Sequence, residues 1–253
     1  MPTALAISPH LDDAAFSCGG TLATLAAAGW RVVMATVFTA SVADPEGFAL
    51  ACQTDKGLGP EVDYMALRRS EDEAAAAALG LAPPRHLGFR EAPHRGYGSA
   101  PELFADLRPD DAVVGDLVRA FRDLVDEVEP DLLLAPQGVG GHVDHIQVIL
   151  ALQTLGLDRP VLWWRDFPYT VRSADPKEPL RARFAQLAQI AMTFAPAAEA
   201  AKRAACAAYA SQLGFQFGGV AGLHGHLAQE DASENFRLSG TLPEGFPRHN
   251  VGA

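Results

Sequence analysis

The chain has 253 residues, of which 49% are hydrophobic and 20% charged, a balance typical of globular proteins that bury a substantial core. Its formal net charge of −11 excludes the overall basic surface with which nucleic-acid-binding proteins neutralise phosphates. Three widely spaced cysteines without a C-x-x-C pair argue against a disulfide scaffold and against a cysteine-ligated zinc site.

The first forty residues predict a strand–helix–strand unit. Residues 4–8 form a short apolar run that is typical of a buried strand. Residues 14–28 are small and end at Gly29, which indicates a helix with a glycine stop, and residues 31–39 predict a second buried strand. A unit of this kind usually begins a parallel sheet.

Helices and strands continue to alternate along the chain. The pattern predicts a long loop at 40–63, a helix at 65–79, a strand at 85–89, an irregular segment at 91–111, a helix at 113–128, a strand at 131–135, a helix from 142 to about 155 and a strand at 160–165. Residues 181–210 are expected to be largely helical. The last forty residues give no clear pattern.

This alternation predicts an α/β fold: a Rossmann-like three-layer sandwich with a mostly parallel sheet. We see no repeat, linker or clean boundary, and therefore expect one domain over residues 1–253. Ligands of such sheets bind outside the carboxyl ends of the strands. A dinucleotide site is not expected, because no G-x-G-x-x-G follows the first strand.

The N-terminal sequence lacks the features of a secretory signal. It has no basic segment and reaches charged residues too early. No apolar run approaches the roughly 20 residues that a membrane-spanning helix needs. We therefore expect a cytoplasmic protein that acts on a small molecule, with neither a membrane span nor a nucleic-acid partner. The sequence leaves a monomer and a homo-oligomer equally open.

Two motifs of histidine and aspartate follow predicted strands. Pro9–Asp13 (PHLDD) comes directly after the first strand, and Gly141–His145 (GHVDH) comes just after the strand at 131–135. Both are therefore expected at the carboxyl edge of the sheet. His10 and Asp13 in the first motif, and His142 and His145 in the second, stand three positions apart, a spacing at which side chains converge.

These residue types suit a hydrolytic zinc centre. Such a centre has about three nitrogen or oxygen ligands and one position open for water. The metal lowers the pKa of that water to about 7 and polarises an amide carbonyl. A nearby carboxylate can accept the water proton. Asp12 and Asp13 have a structural alternative, because acidic residues also cap helices.

Together the motifs resemble the paired signatures, (P/A)HPDDE and HPDH or HxDH, of the PIG-L/LmbE-like family of zinc-dependent N-acetylglucosamine deacetylases. The resemblance implies Zn²⁺, with Fe²⁺ as the alternative, held by His10, Asp13 and His145. The departures from the consensus, Leu11, Ala14 and Val143, fall at positions that are not ligands.

The resemblance also implies roles in catalysis. Asp12 would be the general base. His142 would be an electrostatic stabiliser or general acid, and Asp144 would orient and charge His142. The segment at 202–212, which contains Y-A-S-Q, is similar to the family's K…Y-x-S-Q segment, so the likeness spans roughly residues 4–215.

Three further residues are candidate substrate contacts. Arg68 begins RRSEDEAAAAALG, which resembles the family's R-x-x-E helix, whose arginine reaches the substrate; the alternative is a solvated pair with Glu71 or Asp72. Glu91 stands where many members carry an aspartate that contacts the sugar. Arg95 either lines the substrate mouth or has a structural role.

The implied activity is hydrolytic removal of an acetyl group from an N-acetylglucosamine-type sugar conjugate. The aglycone could be inositol, malate, lipid, peptide or another sugar.

Two alternatives remain open. One is an Fe(II)-dependent oxygenase, because H-x-D occurs twice and two histidines with one carboxylate form its facial triad; the α/β pattern argues against it. The other is a non-catalytic sugar-binding module. The aromatic residues within 163–169 either line the sugar site or pack in the core.

Overall fold

Five strands form the parallel part of a central sheet in a computed structural model that describes residues 1–247 and 251–252. The strands are β1 (Thr3–Ser8), β2 (Arg31–Phe38), β3 (Arg85–Phe89), β4 (Leu132–Pro136) and β5 (Val161–Trp164), paired in the order β3-β2-β1-β4-β5. Every residue of β1, β4 and β5 is buried, because helices cover both faces of the sheet.

Three antiparallel strands extend the sheet beyond β5. They are β6 (Ala188–Thr193), β7 (Ser233–Ser239) and β8 (Val251–Gly252), and they follow β5 in the order β7-β6-β8. β7 pairs antiparallel with both β5 and β6. The predicted α/β class with a mostly parallel sheet is confirmed. We propose that residues 1–253 form one domain, which the single continuous sheet supports.

Helices on the two faces form two apolar cores. One core includes residues of α1 (Asp13–Ala27), α3 (Tyr64–Ala78), α8 (Pro196–Ala208), α9 (Ala210–Phe217) and α10 (Val220–Leu227). The other includes residues of α4 (Val113–Val128) and α5 (Val143–Leu155). Alternate residues of β1 point into the two cores, as the period of a strand requires, and this gives the expected three layers.

Short helices complete the chain. They are α2 (Gly47–Thr54), α6 (Tyr169–Arg172) and α7 (Arg181–Phe184), with 3-10 turns at Ala92–Arg95, Glu102–Phe104 and Ala228–Glu230. None of the helices in the described residues has the length and apolar character of a membrane span.

Two predicted elements were wrong. The expected loop at 40–63 contains α2. The expected helical region at 181–210 contains β6 between two helices. β6 lies between β7 and the outermost strand β8, and only Met192 of its six residues is buried, so its sequence lacks the apolar run that revealed β1 and β4. Its pairing with β7, about forty residues later, determines its conformation.

Gly20 in α1 has no room for a side chain. A Cβ built there would lie 2.5 Å from the nearest ring atom of Phe194. We expect Gly20→Ala to lower the free energy of unfolding by about 1–3 kcal/mol through overpacking, measured by urea denaturation. Gly115→Ala in α4 is the matched control: no atom lies within 4 Å of its Cβ, so it should raise stability by up to about 1 kcal/mol. Equal effects of the two substitutions would contradict the packing argument.

Candidate metal centre and active site

The two histidine–aspartate motifs meet because β1 and β4 are neighbours in the sheet. The first motif forms the turn between β1 and α1, and the second leads into α5 with His142 as its N-cap residue. The ring centroids of His10 and His142 are 4.8 Å apart, and those of His10 and His145 are 5.2 Å apart. One ring nitrogen from each of these three histidines lies within 4.8 Å of the others.

Asp13 lies between the other two predicted metal ligands. Its Oδ2 is 3.2 Å from His10 Nδ1 and 3.1 Å from His145 Nε2. The backbone N–H of His10 also donates to this oxygen. The structure therefore places His10, Asp13 and His145 together, with one oxygen and two imidazole nitrogens facing a common point. This donor set fits a divalent metal such as zinc.

The outer nitrogen of each of these histidines contacts a second buried carboxylate. His145 Nδ1 is 2.7 Å from Asp166 Oδ1, and His10 Nε2 is 2.9 Å from Asp144 Oδ2. Metal-binding histidines almost always carry such a partner, which fixes the tautomer and the orientation of the ring. Asp166 was not predicted from the sequence, although it follows the strand predicted at 160–165, at the same edge of the sheet as the two motifs.

The carboxylate of Asp144 is paired differently from expectation. It accepts hydrogen bonds from Arg95 and from the backbone N–H of Ala92, at 2.8 and 3.1 Å, and it contacts His10. We expected it to orient and charge His142. His142 Nδ1 instead accepts the backbone N–H of Asp144, because His142 caps α5. The structure therefore assigns Asp144 to His10.

Arg95 is a structural residue and not a wall of the substrate mouth. Its guanidinium bridges Asp111 and Asp144 at 2.9 and 2.8 Å and packs over the Phe38 ring. Its side chain is only 11% exposed, and it is not among the residues that line the cavity. The prediction that Arg95 contacts substrate is corrected, because Arg95 does not line the cavity and its donors are occupied by Asp111, Asp144 and the carbonyl of Arg90.

Asp12 is buried beside the three predicted ligands. Its Oδ2 accepts from Gln216 Nε2 at 3.1 Å and lies 3.4 Å from an Arg68 nitrogen. Burial raises the pKa of Asp12 to about 7, while the charge of Arg68 opposes this rise. The side chain makes no capping hydrogen bond to α1. The helix-cap alternative for Asp12 is therefore wrong.

Arg68 joins Asp12 to Glu91. Its guanidinium donates to Glu91 at 2.9 Å and to the carbonyl of Leu11 at 2.9 Å. It also lies 5.5 Å from the Tyr64 ring. Arg68 and Glu91 both line the cavity. The alternative of a solvated pair with Glu71 or Asp72 is wrong, because Arg68 is buried and contacts other acids.

Glu71 and Asp72 instead join α3 to the Y-A-S-Q segment. Glu71 accepts from the backbone N–H and the hydroxyl of Ser211, both at 2.7 Å. Asp72 accepts the Tyr209 hydroxyl at 2.6 Å. These contacts join α3 to the segment at 202–212, the two segments that resemble family motifs, and give them a shared structural role behind the site.

The carboxylates around the predicted metal ligands stabilise positive charge. Burial disfavours the charged form of His145, but the carboxylates of Asp13 and Asp166 outweigh burial and raise its pKa to about 9. Asp13 and Asp144 likewise raise the pKa of His10 despite its burial. Burial and the neighbouring His10 lower the pKa of His142 to about 3, so this imidazole is neutral at pH 7. An anionic cluster of this kind suits a divalent ion.

The site opens into a cavity of about 260 Å³. Its polar floor is formed by His10, Asp12, Asp13, Arg68, Glu91, His142 and Asp144. Its apolar lining includes Phe48, Leu103, Phe104 and Phe215, which are half-buried or exposed and therefore reach its mouth. Tyr169, from the predicted aromatic run, also lines it, whereas Trp163 and Trp164 are buried in β5. The Phe104 ring centroid lies 5.3 Å from that of His142, so the irregular segment at 91–111 forms one wall.

The sequence model of the family described as PIG-L, GlcNAc-PI de-N-acetylase, matches residues 5–156, which include both motifs. The chain belongs to the PIG-L family. This membership agrees with the resemblance of the two motifs and places both of them inside the matched region. Arg68, Glu91 and Tyr64 also fall within it, whereas Asp166 and Gln216 lie beyond it.

Curated relatives in the family are sugar deacetylases by name. The chain is 38% identical over 168 residues to 2'-N-acetylparomamine deacetylase of Streptomyces fradiae, covering 65% of this chain and 57% of that protein. It is 33% identical over 152 residues to 1D-myo-inositol 2-acetamido-2-deoxy-alpha-D-glucopyranoside deacetylase of Rhodococcus erythropolis, covering 56% and 49%. The chain thus spans about half the length of the curated relatives it matches.

Solved structures of two deacetylases share the fold along most of the chain. The zinc inhibited form of teicoplanin deacetylase Orf2 superposes with a TM-score of 0.80 at 28% identity, covering 94% of this chain and 98% of that one. The A40926 pseudoaglycone deacetylase Dbv21 gives 0.76 at 28% identity, covering 93% and 96%. This shared α/β fold argues against the oxygenase alternative.

Proposed function

We propose that this protein is a metal-dependent hydrolase that removes the acetyl group from an N-acetylglucosamine-type sugar conjugate. One observation carries the proposal: Asp13 Oδ2 lies between His10 Nδ1 and His145 Nε2, and the Asp12 carboxylate faces the same cavity. Membership of the PIG-L family and the names of the relatives support it.

We infer that His10, Asp13 and His145 hold the divalent metal. The carboxylates of Asp144 and Asp166 orient the two imidazoles from behind. When bound, the ion would polarise the acetyl carbonyl and lower the pKa of a water molecule. Zn²⁺ suits this donor set, and Fe²⁺ accepts the same ligands. A similar deacetylase was solved in a form described as zinc inhibited. Fe²⁺ is therefore tested beside Zn²⁺.

Asp12 is suited to move the proton. Gln216 and Arg68 both contact Oδ2, which leaves Oδ1 to accept a proton as water attacks the acetyl carbonyl. The protonated Asp12 then returns that proton to the nitrogen of the leaving amine as the C–N bond breaks. The products are acetate and the free amino sugar.

His142 is suited to stabilise the oxyanion. Its Nδ1 accepts a backbone N–H, so the proton of the neutral imidazole lies on Nε2, which can donate a hydrogen bond to the developing negative charge. Its low pKa favours this role over that of a general acid. Arg68 and Glu91, which share the cavity floor, supply a donor and an acceptor for sugar hydroxyls.

An acetate-release screen tests the proposed function. The metal-stripped protein should be inactive towards N-acetylglucosamine conjugates, and adding Zn²⁺, or Fe²⁺ under anaerobic conditions, should restore stoichiometric release of acetate and free amine. Metal and sugar binding without acetate release would favour the non-catalytic module instead. Oxygen uptake that depends on an oxoacid would favour the oxygenase.

A further inference from the structure

An exposed aromatic ring stands at the mouth of the cavity. Phe215 is 63% exposed, and among the described residues only Met1 and Val220 are other large hydrophobic side chains classed as exposed. Of these three, Phe215 alone lines the cavity. Single exposed apolar residues are ordinary on protein surfaces, but an apolar patch at the entrance of a polar site indicates a ligand surface.

A chain of contacts places Phe215 near the sugar-binding end of the floor. Lys56 Nζ lies 5.0 Å from the Phe215 ring centroid and 5.3 Å from that of Tyr64. The Tyr64 ring in turn lies 5.5 Å from the Arg68 guanidinium carbon. Gln216, the next residue of α9, donates to Asp12. Phe215 therefore stands just outside the groups that we assign to the sugar.

The other mouth residues continue this apolar surface. Phe48, at the start of α2, and Leu103 with Phe104, in the 3-10 turn at 102–104, line the same cavity. All three are half-buried. We call Phe48, Leu103, Phe104 and Phe215 the mouth cluster. Its members come from three separate segments, so the surface is made by the fold and not by a single apolar run.

The charges at the mouth do not suit a cationic ligand. Beyond the floor, the charged residues in the cavity lining are Asp55 and Lys56, which offset each other. A polyamine-like aglycone would need several carboxylates at the mouth to replace its hydration. An uncharged apolar group gains instead from leaving water and from stacking on the exposed ring.

We propose that the mouth cluster is a subsite for an uncharged apolar aglycone, aryl or alkyl, carried by the sugar whose acetamido group reaches the polar floor. This proposal rests on the proposed deacetylase function, because it assigns the part of the substrate that lies outside the reacting group. It separates this chain from a deacetylase that is selective for polycationic aminosugars.

Substrate preference tests the subsite. The metal-loaded protein is assayed for acetate release from N-acetylglucosamine, from phenyl and octyl N-acetylglucosaminides, and from 2'-N-acetylparomamine as the cationic counterpart. Wild type should show the highest kcat/KM with the phenyl or octyl compound. Phe215→Ala should lower the ratio of kcat/KM for these two compounds to that for N-acetylglucosamine by about five- to twentyfold, and Phe215→Leu should retain most of the preference.

Val220→Ala is the matched control, because Val220 is an exposed apolar residue on α10 that does not line the cavity. It should leave all rates unchanged. A wild-type preference for 2'-N-acetylparomamine, or an equal loss with every substrate in Phe215→Ala, would overturn the subsite.

Calorimetry separates failure of the subsite from failure of the function. The phenyl and octyl glucosaminides without the acetyl group are titrated into wild type and Phe215→Ala. Tighter binding to wild type supports the subsite even if no substrate releases acetate, in which case only the deacetylase proposal fails. Equal binding by the two proteins overturns the subsite even if acetate release is normal.

Discussion

Replacing Asp12 with asparagine should abolish turnover while the metal stays bound. The amide oxygen of asparagine can still accept from Gln216 and Arg68, which contact Asp12 Oδ2 in the structure. The side chain can no longer take a proton from water or return one to the amine. General-base catalysis typically contributes a factor of about 10² to 10⁴, so we expect kcat to fall by at least that range.

Single-turnover acetate release and metal analysis on the same sample measure this effect. Asp55→Asn is the control, because Asp55 also lines the cavity but is exposed and has no part in the proposed chemistry. Metal content should equal that of wild type in both variants. A near-normal rate for Asp12→Asn would show that the proton goes elsewhere, even if the metal assignment is correct.

Replacing His145 with alanine should remove both metal and activity. His145 is buried, with its two ring nitrogens facing Asp13 and Asp166, so its loss takes away one ligand and leaves a carboxylate without its partner. Asp166→Asn keeps the shape of the site and should weaken metal affinity by about 10- to 100-fold, the usual effect of losing an orienting carboxylate.

Competition with a chelator measures both affinities without reference to turnover. His224→Ala is the control, because this histidine is exposed on α10 and should not affect metal binding. Circular dichroism tests whether His145→Ala still folds, and Asp166→Asn keeps the prediction decisive if it does not. Wild-type metal affinity in Asp166→Asn would exclude the orienting role of that residue.

Burial on both faces made most of the fold predictable from sequence. β1 and β4 are covered by helices, and residues 4–7 and 132–135 are apolar without interruption. α4 is amphipathic, and its predicted bounds agree with the structure. β6 was missed because only one of its side chains is buried and a partner strand determines its conformation.

The site was predictable where local spacing decides the geometry, and unpredictable where distant segments meet. The three-residue spacing and the position of both motifs at strand ends predicted that His10, Asp13 and His145 lie close together, as they do in the structure. The Asp144 carboxylate is held by hydrogen bonds from Arg95 and Ala92, about fifty residues away along the chain. No spacing rule predicts these contacts. Gln216 gave no signal, because its link to Asp12 spans 204 residues.

The contacts behind the site set limits on how this protein can be divided. Glu71 and Asp72 belong to the region matched by the family, but Ser211 and Tyr209, which donate to them, come more than fifty residues after it ends. A fragment truncated at the family boundary would leave both acids without these donors. We therefore expect evolutionary substitutions at Glu71 or Asp72 to be accompanied by compensating substitutions at Ser211 or Tyr209.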